Sequence, residues 1–243
     1  MKHIEKYRVK WHDTDASRRV RPSELLEYMQ ETANLQFVSH NRDLDAERDN
    51  SGIAFILSKM CVDIHAPLYA YEDIDVETFT CESRGFSFNR CFRILRNGEI
   101  VAEALSVWAL VNINTGKLMR ADEYDVGFEN EPVLTVSAPL RIKMPPQDAF
   151  IEVGKRKTVY SDIDYNMHMN NTRYPNMLCD FMETQDTAKI CGISLSYLRE
   201  AALGDTLLVQ RGTDGAGNFY FRTKKGDTVC LEAKVVTEPR ERV

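Results

Sequence analysis

The chain contains one sequence pattern twice, and this repeat limits the folds that it can form. The stretch Trp11-His12-Asp13-Thr14-Asp15 is matched by Tyr160-Ser161-Asp162-Ile163-Asp164, at a constant offset of 149 positions, as from Asp15 to Asp164. In both copies an aromatic residue precedes Asp-x-Asp, and a helical pattern and then strand-like segments follow. A motif, a helix and several strands in the same order predict an internal duplication.

Each copy is predicted to form a helix followed by antiparallel strands, which is an α+β architecture. The apolar residues at helical spacing are Leu26, Met29, Ala33 and Phe37 in the first copy, and Tyr174, Met177, Leu178, Phe181 and Met182 in the second. Asn97-Gly98 and Lys225-Gly226 have the composition of equivalent hairpin turns. Two such sheets can join edge to edge, which removes two exposed edges.

A proline-rich stretch separates the two copies. Four of the eight prolines fall between Pro132 and Pro146, and such a stretch is typical of a linker. We therefore predict a first domain over residues 1–130, a linker over 131–148 and a second domain over 149–243. These two domains are called the first half and the second half below.

Composition narrows the classes of protein that fit. A hydrophobic content of 43% excludes an intrinsically disordered chain, and a net charge of −6 argues against nucleic acid as the main partner. The sequence shows no apolar run that could span a membrane, and its charged start is unlike a signal peptide, so we expect a cytoplasmic protein. The six cysteines lack CxxC spacing and are expected to be free thiols, with no metal site and no cofactor.

The two copies differ where chemistry is most expected, in the segment that leads into the helix. A helix N-terminus presents unpaired N–H groups and partial positive charge, which can stabilise an oxyanion. A spacing of two along an extended loop would point Asp164, Asn166 and His168 the same way. Simpler interpretations remain open: Asn170 or Asn171 as a helix cap, and His168 as a loop histidine. The second copy has Asn166, His168, Asn170 and Asn171 where the first has Ser17, Arg19, Arg21 and Pro22.

The segment from Ser161 to Tyr174, with its Asp-x-Asn-x-His-x-Asn-Asn core, resembles the central motif of the acyl-acyl carrier protein (acyl-ACP) thioesterases. Ala104-Leu105-Ser106-Val107-Trp108 resembles the Ala-x-Ser-x-Trp segment of that family, and Leu195 to Glu200 resembles a third segment. The resemblance covers nearly the whole chain and implies a tandem (double) hot-dog fold. In that fold each half is a long helix wrapped by an antiparallel sheet.

The resemblance also implies a reaction and the residues that perform it. The reaction is hydrolysis of a fatty acyl-ACP thioester to the free fatty acid and holo-ACP. The family's catalytic aspartate, asparagine, histidine and glutamate match Asp164, Asn166, His168 and Glu200. Glu200 and His168 would activate a water, Asn166 would orient it or the thioester, and Asp164 would orient the histidine or attack directly. The plant enzymes have a cysteine where this chain has Ala201, which excludes a cysteine nucleophile at that position.

Further expectations concern the surroundings of this motif. Backbone N–H groups near Asn170 and Asn171 are predicted to form the oxyanion hole. Basic clusters are predicted to dock the acidic carrier protein, with Arg18, Arg19 and Arg21 in one and Lys155, Arg156 and Lys157 in the other. Residues proposed for an acyl pocket in the first half are Leu26, Met29, Phe37, Phe55 and Ile56.

Three other functions remain open. An acyl-CoA thioesterase would use the same chemistry on another carrier. A hot-dog dehydratase or hydratase also uses a histidine and a carboxylate, and a non-catalytic acyl-binding regulator would need an output module. Since one chain supplies both halves, either a monomer or a homodimer is possible.

Overall fold

The computed structural model describes residues 1–182 and 188–239. Its helices are α1 (Pro22–Ser39), α2 (Leu44–Ser51) and α3 (Arg173–Asp180). The strands of the first half are β1 (His3–Arg8), β2 (Ile53–Ile64), β3 (Asp73–Arg84), β4 (Ser87–Arg96), β5 (Glu99–Asn112) and β6 (Lys117–Met119). Those of the second half are β7 (Ile151–Lys157), β8 (Ala188–Tyr197), β9 (Thr206–Thr213), β10 (Asn218–Lys225) and β11 (Thr228–Pro239).

The described strands form one antiparallel sheet with an approximate twofold arrangement. Their order is β1-β3-β4-β5-β2-β8-β11-β10-β9-β7, with β6 paired to β5. Counted outward from the centre, the strands are β2-β5-β4-β3-β1 on one side and β8-β11-β10-β9-β7 on the other. Equivalent strands of the two copies therefore occupy equivalent places. At the centre β2 and β8 pair antiparallel, from Lys59 with Ser196 to Asp63 with Gly192. The duplication and the joining of two sheet edges, both predicted from sequence, are therefore confirmed.

The helix that follows the Asp-x-Asp segment is long in the first half and short in the second. Helix α1 has 18 residues, begins with Pro22 and buries Leu26 and Met29 completely. Helix α3 has eight residues and ends at Asp180, so Phe181 and Met182 follow it rather than continue its apolar face. The two helices meet near their starts, and none of the described helices is long and apolar enough to cross a membrane.

Contacts between α1 and α3 repeat the twofold relation. The Ser23 N–H donates to Asn176 Oδ1 (3.1 Å), and the Asn176 N–H donates to Ser23 Oγ (3.0 Å). The Asn176 amide also donates to the Glu24 carboxylate (3.2 Å). These bonds fix one half against the other, which matters because the residues described below come from both.

The proline-rich stretch packs against the first half instead of crossing open solvent. The Asp63 carboxylate accepts hydrogen bonds from the Ser137 and Ala138 N–H groups. Ala138 is buried on a second apolar cluster of the first half, formed with Cys61, Phe79, Cys81, Cys91 and Leu105. The stretch thus shields apolar side chains that would otherwise face water.

None of the six cysteines forms a disulfide, as the sequence predicts. Four of them, including Cys61, are buried, and desolvation raises the pKa of Cys61 and of the half-buried Cys179 to about 12. A thiol with such a pKa carries almost no nucleophilic thiolate near neutral pH. Ala201, which stands where the plant enzymes have a cysteine, is fully buried.

Candidate active site

Both Asp-x-Asp segments fold into the same tight turn before their helix. In the first turn (residues 13–21) the Asp15 N–H donates to the Arg19 carbonyl oxygen (2.8 Å). In the second turn (residues 162–170) the Asp164 N–H donates to the His168 carbonyl oxygen (3.1 Å). Both turns contain a residue with a left-handed backbone, at the matching positions Arg18 (φ 62°) and Met167 (φ 67°). The repeat in the sequence is therefore also a repeat of backbone geometry.

This geometry contradicts the extended loop expected from the sequence spacing. The Met167 N–H donates to the Asp164 carbonyl oxygen (3.0 Å), which closes a turn. The turn brings the His168 imidazole to 4.0 Å from the Asp164 carboxylate. The Asn166 side chain lies beside the hydroxyl of Tyr165, and its catalytic role stays a prediction.

His168 lies between two carboxylates. Its Nδ1 is 4.0 Å from Asp164 Oδ1, and its Nε2 is 3.5 Å from Glu200 Oε1. Both distances exceed a direct hydrogen bond, as is common for catalytic groups in the absence of substrate. The side chains of His168 and Asp164 are 30% and 20% exposed, so the imidazole is partly shielded but still open to water. Glu200 is 64% exposed.

A backbone contact brings Glu200 to the second turn from a distant part of the sequence. The Met169 N–H donates to the Ala201 carbonyl oxygen (2.8 Å), and His168 forms an antiparallel bridge with Ala202. Glu200 lies two residues before Ala202 and is thereby held beside the imidazole. The sequence motif predicted these partners, and the structure shows the backbone pairing that joins them.

The same pairing in the first half brings in different chemistry. The Val20 N–H donates to the Leu68 carbonyl oxygen (2.9 Å), so the counterpart of Glu200 is Pro67. Arg19 occupies the place of the histidine. An arginine remains protonated and a proline side chain has no polar group, so neither can accept a proton. Only the second turn combines a histidine with two carboxylates.

Asp164 also has a structural task that the sequence analysis missed. Its Oδ1 accepts the Asn166 N–H (2.9 Å). In the first turn Asp15 Oδ1 accepts the N–H groups of Ser17 (2.7 Å) and Arg19 (3.1 Å). Aspartates that accept the N–H two residues ahead stabilise turns. The repeat itself indicated this role, because the aspartate is present in both copies and both copies form the turn.

The two asparagines before α3 have different surroundings. The Asn170 N–H donates to the Asp162 carbonyl oxygen (2.8 Å), and Asn170 Oδ1 accepts from the Thr172 N–H (2.9 Å). The Asn170 N–H thus already has a backbone partner. The Asn171 carbonyl oxygen accepts from the Tyr197 hydroxyl (2.9 Å). An oxyanion hole formed by backbone N–H groups near these two residues stays a prediction.

Two of the arginines predicted to dock the carrier are engaged in internal contacts. Arg21 donates to the Glu24 carboxylate (3.0 Å) and to backbone carbonyl groups of the first turn. Arg156 donates to both carboxylate oxygens of Asp162 (2.8 and 3.0 Å). Paired charges present a weaker field to a partner. The remaining residues of the predicted clusters, Arg18, Arg19, Lys155 and Lys157, keep their role as predictions.

A cavity of about 400 Å³ lies in the first half, between α1, the sheet and residues 120–130. Phe37 and Phe55 line it, as proposed from sequence. In contrast, Leu26 and Met29 belong to the solid core, and Ile56 is exposed.

Helix α2 connects this cavity to the second turn. Its first residue, Leu44, lines the cavity, and the Arg48 guanidinium lies 5.1 Å from the ring centre of Tyr165. A smaller polar cavity shares Gln30 and Asn34 with the larger one and extends to residues 170–173. Helix α2 and the smaller cavity thus lie between the larger cavity and the segment that leads into α3.

Comparison with known families gives two matches along the chain. The model described as the acyl-ACP thioesterase N-terminal domain matches residues 1–125. The model described as the acyl-ACP thioesterase C-terminal domain matches residues 150–233. Together they cover most of both halves and leave out the whole proline-rich stretch.

Curated relatives and solved structures agree with these matches. A chloroplastic acyl-[acyl-carrier-protein] hydrolase of Cuphea viscosissima is 25% identical over 234 residues, which cover 88% of this chain and 56% of the relative. An oleoyl-acyl carrier protein thioesterase of Arabidopsis thaliana is 28% identical over 166 residues, covering 59% of this chain and 45% of the relative. The chain thus spans about half the length of the curated relatives it matches.

The solved structures concern the fold. An acyl-ACP thioesterase from Bacteroides thetaiotaomicron superposes with a TM-score of 0.88 at 23% identity, covering 98% of both chains. A 12:0-ACP thioesterase from Umbellularia californica superposes with a TM-score of 0.85 at 16% identity, also covering 98% of both. The double hot-dog fold predicted from the sequence is confirmed.

Proposed function

The chain belongs to the acyl-ACP thioesterase family, and we propose that it hydrolyses fatty acyl-ACP thioesters to a free fatty acid and holo-ACP. The curated relatives that it matches are named as hydrolases or thioesterases of acyl-ACP. The carrier and the fatty acyl chain are the substrate that their names share.

One observation carries the proposal. Two turns have the same backbone, and only the second places an imidazole between two carboxylates, Asp164 and Glu200. A histidine that faces a carboxylate on each ring nitrogen can take a proton from water on one side while the other side is stabilised.

The reaction needs little beyond this group. His168 Nε2 and Glu200 hold a water near the thioester carbonyl carbon, and the imidazole accepts its proton as the oxygen attacks. The carbon–sulfur bond then breaks, and the thiolate of the carrier's prosthetic arm takes up a proton. Asp164 faces Nδ1, where a carboxylate stabilises the imidazolium that forms. The alternative role of Asp164, direct attack to give an anhydride, uses the same position.

The acyl chain is assigned to the cavity of the first half. Its aromatic wall excludes water from the hydrocarbon, which supplies binding energy in proportion to the apolar area buried. Leu44 of α2 lines this cavity and the Arg48 guanidinium lies over the Tyr165 ring, so α2 contacts both the cavity and the second turn. The thioester end is assigned to the second turn.

The direct test is hydrolysis of matched thioesters. Saturated acyl-ACP and acyl-CoA of equal chain lengths are compared with wild-type protein, Glu200→Gln and the control Glu99→Gln, an exposed hairpin residue. We expect hydrolysis of acyl-ACP by wild type and control, and a loss of about tenfold to a hundredfold in kcat for Glu200→Gln.

Two results would contradict the proposal. A higher kcat/KM for acyl-CoA at every chain length would make the protein an acyl-CoA thioesterase. Equal activity of Glu200→Gln and Glu99→Gln would remove Glu200 from the reaction.

A further inference from the structure

Arg90 is a buried cation at the wall of the acyl cavity. It lies on β4 on the sheet face toward α1, and only 6% of its surface is exposed. Its guanidinium carbon is 5.4 Å from the ring centre of Phe37 and 5.8 Å from that of Phe128. Both rings also line the cavity, so the charged group itself is part of the wall.

The guanidinium is only partly satisfied by the protein. Its Nη1 donates to Gln36 Oε1 (2.6 Å) and to Thr78 Oγ1 (3.1 Å). Among the residues that the structure describes, none accepts a hydrogen bond from Nε or Nη2, and no carboxylate pairs with Arg90. Burial without an anion lowers the pKa of Arg90 to about 10.

Arg93 on the same strand shows the usual solution. It lies on the opposite face of the sheet, donates to Glu103 (3.1 Å) and approaches Glu77 (3.5 Å). Buried cations are normally paired in this way because desolvation of an unpaired charge is costly. The desolvation of Arg90 is therefore not offset by a carboxylate among the described residues.

A cavity that binds only a saturated hydrocarbon chain does not need a guanidinium in its wall. An unpaired donor in an apolar cavity disfavours a saturated chain, which leaves the donor without a partner. A chain that carries an oxygen acceptor satisfies it. Acidic residues, namely Glu82, Asp122 and Asp125, also line the cavity. They oppose a second carboxylate on the chain, so a neutral oxygen fits best.

We propose that the cavity selects acyl chains that carry a hydroxyl or oxo group along the chain, with Arg90 donating a hydrogen bond to that oxygen. The inference rests on the proposed function, since it names the class of acyl group that the same site takes. The cation–π contacts with Phe37 and Phe128 keep the guanidinium in place for this bond.

The test compares acyl-ACP substrates of one chain length. One is saturated, and the others bear a single hydroxyl or oxo group at successive internal carbons. The variant is Arg90→Met, which keeps the length of the side chain and removes the donor, and the matched control is Arg93→Met on the other face of the sheet.

We expect wild type and Arg93→Met to prefer at least one oxygenated substrate by about tenfold or more in kcat/KM. In Arg90→Met that preference should disappear, so that kcat/KM becomes about equal for the oxygenated and the saturated substrates. A wild-type protein that prefers the saturated chain over every oxygenated one would overturn the proposal. So would an Arg90→Met variant that loses activity on all substrates equally.

A failure of the proposed thioesterase function can be distinguished from a failure of the cavity proposal. If wild type hydrolyses none of these thioesters, calorimetric binding of the free hydroxy and saturated acids decides the matter. Tighter binding of a hydroxy acid by wild type, lost in Arg90→Met, supports the cavity proposal alone. Equal affinity for both acids overturns it.

Discussion

The first and second turns share a backbone and differ in the side chains that it presents. In both, an aspartate accepts N–H groups of its own turn, and a loop that follows a strand of the same half pairs with the end of the turn. At the places of His168 and Glu200, the first turn has Arg19 and Pro67. The difference indicates that the shared aspartate stabilises the turn, and that the proposed chemistry depends on His168 and Glu200, which only the second copy has.

This comparison also separates two meanings of a motif. Asp164 lies inside the catalytic motif of the family that the sequence resembles, yet its counterpart Asp15 performs the turn-forming task without a histidine that could be catalytic. A role of Asp164 in turnover must therefore be measured apart from its role in the turn.

The largest effect is expected from making the second turn like the first. His168→Arg should lower kcat by about 10²- to 10⁴-fold, because a guanidinium stays protonated and cannot act as a base. The fold should be unaffected, since Arg19 already occupies the same place in an identical turn. Turnover measurements check the predicted loss of kcat, and thermal unfolding checks that the fold is unaffected. Substantial activity in the variant would show that the imidazole is not the base.

Asp164→Asn tests the shared aspartate, with Asp15→Asn as its control. The amide keeps an oxygen that can accept the turn N–H groups, so the melting temperature should change little in either variant. Only Asp164→Asn loses the charge that faces His168, and we expect its kcat to fall about a hundredfold or more. If both variants keep near-normal turnover, Asp164 has only its structural role.

A smaller effect is expected at the surface of the first turn. Reversing charge at Arg18 and Arg19 together (Arg18→Glu/Arg19→Glu) should raise KM for acyl-ACP by about tenfold and leave KM for acyl-CoA nearly unchanged. The difference should shrink at high ionic strength because exposed charges are screened. Equal changes for both substrates would argue against a role in carrier docking.

The smallest effect concerns stability. Asp15→Ala removes the acceptor of two N–H groups, and Asp164→Ala removes the acceptor of one. We expect a loss of about 1 kcal/mol in the free energy of unfolding for each variant, with the larger loss at Asp15. Denaturant unfolding measures it, and a larger loss at Asp164 would show that the second turn depends more on its aspartate.

Much of the fold could be predicted because its signals are local or periodic. The repeat, the hairpins at Asn97-Gly98 and Lys225-Gly226 and the start of α1 at Pro22 depend on residues near in sequence. The length of α3 could not be predicted, since apolar spacing at Phe181 and Met182 continues past the end of the helix. Those residues pack against the core without helical backbone.

The candidate site divides in the same way. The sequence by itself determined the duplication, the fold class and the asymmetry between the two copies, since these are properties of order and residue type. Only the tertiary structure decided which groups meet. An isolated backbone bridge to the loop after β8 brings Glu200 to His168. Sheet packing buries Arg90 in a cavity wall, where no carboxylate of the described residues pairs with it. These results depend on contacts between distant segments, and residue spacing along the chain does not specify such contacts.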